Sequence, residues 1–160
     1  MNFEIERKFL VLDESYKQAA VKAIRIRQGY IAHDAGRTVR VRIADDKGFL
    51  TIKGPSRDGI SRQEWEREIP LQDAEDLFLL CKKGAIDKVR HIIPAAGGRK
   101  WEVDEFHGDN EGLTMAEIEL GSPEEAYEKP SWLGEEVTGD KRYYNAYLCI
   151  TPYKNWEPGI

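Results

Sequence analysis

Charged and apolar residues alternate with a period of two in one short segment after another of this 160-residue chain. That period belongs to β-strands, whose successive side chains point to opposite faces of a sheet. In the stretch 3–12, Glu4, Glu6 and Lys8 fall two residues apart, and Ile5, Phe9 and Val11 take most of the other positions. The pattern predicts about eight strands, over 3–12, 25–33, 37–45, 48–54, 62–70, 86–94, 99–107 and 114–121. "DDKG" at 45–48 joins two of them tightly, and "GPSRDG" at 54–59, "PAAGG" at 94–98 and "HGDNEG" at 107–112 make longer hairpin loops. Links this short make neighbouring strands antiparallel. Helices are expected over 13–24, 71–84, 123–129 and 140–149, with Asp140 as N-cap of the last. The chain thus reads as a single α+β domain, 1–160, with an antiparallel sheet that can close into a barrel.

Sorting the strands by face separates two chemistries. One face carries Glu4, Glu6 and Lys8; Arg40 and Arg42; Thr51 and Lys53; and Glu64, Glu66 and Glu68. It continues with Lys88 and Arg90, Glu102 and Asp104, and Glu117 and Glu119. The other carries apolar residues such as Phe9, Val41, Ile52, Trp65, Val89, Trp101 and Ile118. An open sheet with its charged face in water is the usual fate of such a pattern. Two details favour a closed barrel with the charges inside. The polar face is poor in Ser, Thr, Asn and Gln, and like charges are grouped by strand, which a solvated face has no reason to accept. Both arrangements stand at this level.

Composition narrows the partners. The chain has 24 Lys and Arg against 29 Asp and Glu, a net charge of −5, which excludes global attraction to nucleic acid or an acidic membrane but allows a local basic site. Aromatics do not interleave with bases as in RNA-binding surfaces. Cys81 and Cys149 lack metal-type spacing and suit a reduced compartment. No signal core or long apolar run is present, so the expected location is the cytoplasm, away from membranes. A homodimer through exposed apolar barrel surface is compatible with the sequence, which names no residue for it.

The charged face suggests its own chemistry. Glu4 with Glu6, and Glu117 with Glu119, are paired carboxylates about 7 Å apart along a strand. Hard oxygen donors without His or Cys suit Mg²⁺ or Mn²⁺. Either pair alone is ordinary strand alternation; two pairs beside three basic strands carry more weight. Lys8, Arg40, Arg42, Lys53, Lys88 and Arg90 would clamp a chain of phosphates from several sides, although each alone is more often a surface charge. Glu64, Glu66 and Glu68 could bind a second metal, hold these cations in place or face water; the holding role is favoured for at least one of them, with Glu64 and Glu66 as the supports, and Asp104 is a candidate at the metal centre that orients its water. His33, His91 and His107 are scattered and read as structural or exposed. Phosphate-binding glycine loops, zinc-protease and serine-hydrolase motifs are absent.

These residues bring a family into view. "EIERKFLV" at 4–11 resembles the E-x-E-x-K signature of the CYTH superfamily, the triphosphate tunnel metalloenzymes. "QGYI" at 28–31, "VRVR" at 39–42, "LTIKGP" at 50–55 and "EWERE" at 64–68 follow in order. So do "KVRH" at 88–91, "WEVDEFHG" at 101–108, "LTMAEIEL" at 113–120 and "VTGDKRYYNAYL" at 137–148. The resemblance implies a tunnel of eight antiparallel strands, open at both ends, that binds a small anionic triphosphate with a divalent metal. It implies Glu4, Glu6 and Glu119 as metal holders with Glu117 beside them. Lys8, Arg40, Arg42, Lys53 and Arg90 become phosphate ligands, and Lys88 binds phosphate or assists the attacking water. Tyr30 joins the phosphate end. Lys141 stands where close bacterial relatives often carry Pro, a departure that leaves its role open. The expected activity is cleavage of inorganic tripolyphosphate to pyrophosphate and phosphate. Thiamine or nucleoside triphosphate hydrolysis, adenylyl cyclisation and non-enzymatic polyphosphate binding are the alternatives.

Overall fold

Nine strands form one sheet in the computed structural model, which describes residues 2–56, 58–81 and 84–156. They are β1 (Asn2–Val11), β2 (Lys22–Asp34), β3 (Arg37–Ala44), β4 (Lys47–Lys53) and β5 (Ser61–Ile69), then β6 (Ile86–Pro94), β7 (Lys100–Phe106), β8 (Thr114–Glu119) and β9 (Leu133–Glu136). The spatial order is β5-β4-β3-β2-β6-β7-β8-β1-β9, and β5 pairs back onto β1. Eight strands therefore close an antiparallel ring, which settles the choice between open sheet and barrel. One edge of β1 is shared. Asn2 to Ile5 pair with β5, and Phe9 and Val11 pair with β9, while β8 runs along the opposite edge.

Closure turns the charged face inward. The outer face is covered in two patches. Phe9, Trp101, Val103 and Ile118 are buried with Tyr16 of α1 (Tyr16–Ala19) and with Trp132. Edge-to-face ring contacts knit this patch, 5.7 Å for Phe9–Trp101 and 5.6 Å for Trp101–Trp132. Val41 and Ile43 lie under Ala74 of α2 (Leu71–Phe78). Ile52, expected on the apolar outer face, is 44% exposed, because neither patch reaches it. A third cluster joins Phe106 and Met115 to Leu148 and Cys149 of α3 (Asn145–Ile150). Phe106 and Met115 share strand faces with Asp104 and Glu117, so this cluster fills one end of the ring.

The helices are shorter than the sequence suggests. The expected helix over 13–24 is one turn, α1, because β2 begins at Lys22 and pairs with β6 from there. The helix expected over 123–129 does not form. That segment runs over the outer face as irregular chain, its Pro123 carbonyl accepting from Arg7 at 2.6 Å and its Tyr127 packing on the aromatic patch. α2 ends at Phe78, and residues 82–83 of its expected span lie outside the described ones. The last helix is a 3₁₀ turn, Lys141–Tyr143, followed by α3. Asp140 does cap it, accepting from the Arg142 N–H. β9 carries no period-two signal in the sequence, being four residues long with Gly134 inside it. A Cβ at Gly134 would stand 2.9 Å from the Leu10 carbonyl oxygen, so the strand needs glycine to approach β1. Among the described residues no helix is long and apolar enough to cross a membrane.

Gly48, the second residue of β4, is glycine for a packing reason. A Cβ there would meet the Ala74 Cβ at 2.4 Å, and Ala74 is fully buried. Gly48→Ala is expected to lift α2 from the barrel and lower unfolding stability by about 1–3 kcal/mol, the scale of an overpacked core. Urea denaturation would measure it.

Candidate active site inside the barrel

The ring encloses a cavity of about 890 Å³. Its wall carries Glu4, Glu6, Lys8, Tyr30, Arg40 and Arg42, and on further strands Lys53, Glu64, Glu66, Arg90, Glu117 and Glu119. Lys88 and Asp104 are set into the wall beneath that surface, 0% and 2% exposed. A second cavity of about 310 Å³ shares Arg42, Glu66, Arg90, Lys100 and Glu102 with the first and adds Ile24, Ile26, Phe49 and Ile92. The ring therefore has a second, more apolar mouth.

The register explains who meets whom. Arg90 and Asp104 are paired across β6 and β7, so the guanidinium donates twice to the carboxylate, at 2.7 and 2.9 Å. Lys88 Nζ stands 2.7 Å from the same carboxylate and donates to Asn145 Oδ1 at 3.2 Å. Burial would raise the Asp104 pKa, but Arg90 and Lys88 hold it well below the usual carboxylate range. Burial pushes Lys88 down to about 7; Asp104 opposes this, and the Arg90 and Arg42 charges add to it. Arg42 is lowered to about 9 by burial beside Arg40 and Arg90, and keeps its charge at neutral pH. It donates to Oε1 of the fully buried Gln28 at 2.8 Å. Arg40 donates to Thr51 at 3.2 Å and to Glu66 at 3.4 Å.

The acidic side is less well compensated. Lys53 stands 2.7 Å from Glu4 and 3.6 Å from Glu64, and Lys8 stands 3.4 Å from Glu117. Glu4 and Glu117 are held low by these lysines against the pull of burial. Among the described residues no salt bridge anchors Glu6, and the pull of Lys53 on it is outweighed. It sits directly opposite Glu119 in the β1–β8 ladder. Burial, then Glu117 and Glu4, push its pKa well up. Glu119 is also raised, by burial and then by Glu4 and Glu102, and Glu64 rises to about 7 through burial and Glu4.

Like charges directly opposite in a ladder are destabilising, and a cation between them removes the repulsion. Among the described residues no three acid, His or Cys side chains stand ready as a metal cage. The donor set nevertheless fits Mg²⁺ or Mn²⁺. It is all carboxylate oxygen, and Mg²⁺ usually takes one or two carboxylates, with waters and substrate phosphates completing its shell.

A ring of this topology, with acids facing bases across its lumen, matches one family model, the CYTH domain, over residues 2–144. The chain belongs to the CYTH family. An inorganic triphosphatase of Acetivibrio thermocellus is 50% identical over 158 residues, 98% of this chain and 99% of that protein. One of Nitrosomonas europaea is 35% identical over 92% of this chain and 97% of that protein. The crystal structure of an inorganic triphosphatase superposes with a TM-score of 0.65 at 34% identity, covering 98% of this chain and all of the other.

The CYTH barrel brings the sequence candidates together and adds four partners. Gln28, Thr51 and Glu102 hold Arg42, Arg40 and Arg90. Asn145 holds Lys88 from the C-terminal segment. Thr51 and Glu102 share the charged parity of their strands and were legible as lumen residues. Gln28 could have been found by extending that parity to β2. Asn145 lies on a helix, so strand alternation gave no signal for it. His33 reaches the cavity wall, whereas His91 lies outside, 3.2 Å from Glu105 and against the Tyr16 ring.

The acid crowding has a pH signature in the metal-free CYTH chain. Glu64 carries a folded pKa of about 7 against 4.5 unfolded, so the native state binds more protons between those values. Its contribution to stability is full below 4.5 and lost as pH rises to 7. Glu64→Gln is expected to flatten that decline in a urea-denaturation series across the window.

Proposed function

We propose that the protein hydrolyses inorganic tripolyphosphate to pyrophosphate and phosphate with Mg²⁺ or Mn²⁺. The observation that carries this reading is the division of one closed lumen. Glu6 and Glu119 oppose each other on one side, while Arg40, Arg42 and Arg90 come from other strands of the same ring. The lumen is thus shaped for a short polyanion together with a cation. The inorganic triphosphatases that resemble the chain over nearly its whole length support the choice of substrate.

Each residue's work follows from its chemistry. Arg40, Arg42 and Arg90 offer planar donors to phosphoryl oxygens, held in place by Thr51, Gln28 and Asp104. Lys8 and Lys53 add compact charges, and Tyr30 lines the same wall. Glu4, Glu6 and Glu119, with Glu117 beside them, would hold the divalent ion. When bound, that ion neutralises phosphate charge and polarises the phosphoryl oxygens. Asp104, engaged on both oxygens, orients Arg90 and Lys88 and is the least available of the candidate metal ligands. Water attacks the terminal phosphorus in line, a new P–O bond forms, and the bridging P–O bond breaks with its electron pair leaving on pyrophosphate. Lys88, near 7, can both hold and accept a proton at neutral pH and takes the one that water releases.

A phosphate-release assay with tripolyphosphate, ATP and thiamine triphosphate, each with and without Mg²⁺ or Mn²⁺, tests the reading. Release is expected from tripolyphosphate first, and none after chelation. No release from any substrate overturns hydrolysis, and cyclic AMP from ATP would select a cyclase instead. Arg40→Ala is expected to lower kcat/KM by about 10²–10³-fold, the scale of losing one preorganised donor. Glu6→Gln should abolish metal stimulation, seen also as loss of the Mg²⁺-induced rise in melting temperature.

A further inference from the structure

Lys88 is fully buried and does not reach the cavity wall, whereas Asn145, which accepts its hydrogen bond, does. A lysine ammonium ends a flexible four-carbon stem, and its position is set by whatever holds its N–H groups. Two side chains do so here. Asp104 holds Nζ from β7 at 2.7 Å, but the same carboxylate accepts two hydrogen bonds from Arg90 and belongs to a buried layer. Asn145 holds it from α3 at 3.2 Å, on the lumen side. The Phe106 ring, 5.4 Å from Nζ, offers a face but no acceptor oxygen.

We propose that Asn145 is a positioning residue that draws the Lys88 ammonium toward the lumen, so that the C-terminal segment completes the active site. The inference rests on the triphosphatase reading and assigns it a residue that strand alternation could not reveal. A second contact runs the same way. Lys8 Nζ donates to the Tyr143 carbonyl at 3.0 Å and stands 5.3 Å from the Tyr144 ring. Lys8 of β1 and Lys88 of β6 are thereby tied to three consecutive residues of one segment. The tie to Lys8 uses a backbone carbonyl, which any residue supplies. The tie to Lys88 needs a side-chain oxygen of this length, which makes Asn145 the testable half.

Removing the Asn145 oxygen leaves Lys88 held by Asp104 alone, withdrawn from the lumen. The other cations still line the cavity, so binding persists while the chemical step slows. Asn145→Leu is expected to lower kcat for tripolyphosphate with Mg²⁺ by about 10–100-fold, as for a reacting group displaced by about 1 Å, with KM nearly unchanged. Asn145→Asp keeps an oxygen in the same place and should recover part of that loss, with the pH optimum moved upward because the added carboxylate favours the Lys88 ammonium. A structural role alone would move neither ratio once unchanged circular dichroism shows both variants folded. An unaltered kcat in Asn145→Leu, a rise in KM alone, or no recovery in Asn145→Asp overturns the proposal.

A second readout is independent of turnover. In ¹⁵N-lysine spectra at mildly acidic pH, the protected Lys88 ammonium signal, assigned by its loss in Lys88→Met, should move in Asn145→Leu, where the Asn145 acceptor is lost while Asp104 still holds the ammonium. An unmoved signal in Asn145→Leu overturns the proposal. If wild type cleaves no triphosphate, the assignment of function falls, and this spectrum alone then decides whether Asn145 holds Lys88.

Discussion

Four backbone pairings between β1 and β5, from Asn2–Glu64 to Ile5–Ser61, close the ring and decide the environment of every charged side chain on its inner face. Left open, the sheet would leave those charges hydrated. Once closed, it takes them out of bulk water, where an unpaired ion is costly and a paired one must find good geometry. β1 makes this possible by dividing one edge. β5 holds its first half, and β9 takes over beyond it. Closure thus depends on about half a strand.

The interior answers the desolvation cost unevenly. Around Asp104 it is met by Arg90 and Lys88 on the carboxylate, and Gln28 and Thr51 steady the neighbouring guanidiniums, although Gln28 Nε2 and Arg40 Nε stay buried without a hydrogen-bond partner. This quarter behaves as a rigid polar core. The side formed by Glu6, Glu119 and Glu64 is left with excess negative charge, and burial first, then neighbouring carboxylates, raise the pKa of all three. Rigidity and repulsion in one ring are what a site needs if the first part holds the geometry and the second receives a cation.

The barrel was legible because strand parity is a strong signal. Knowing that Glu4, Arg40 and Asp104 share a face requires only counting by twos, and their grouping by sign hinted at an enclosed face. Closure itself was not in that count, because pairing between β1 and β5 joins residues that no short turn connects. The helical expectations failed where packing outweighed local pattern. Lys22, Ala23 and Ile24 have a place in the β2–β6 ladder, and residues 123–129 follow the aromatic patch of Phe9 and Trp101 without regular structure. Asn145 escaped notice for a different reason. Its contact with Lys88 spans 57 positions and is made from a six-residue helix, so neither period two nor proximity in sequence announces it.

The lysine–glutamate pairs of the lumen carry a last consequence. Lys53 is already committed to Glu4, and Lys8 to Glu117. A phosphate chain that claims those lysines sets two carboxylates free, and a cation that claims those carboxylates sets two lysines free. On the proposed function the lumen would then work as a small ion exchanger, in which each ligand prepares the place of the other. Because such coupling is reciprocal, a polyanion should tighten the hold on metal by the same factor that metal tightens the hold on polyanion.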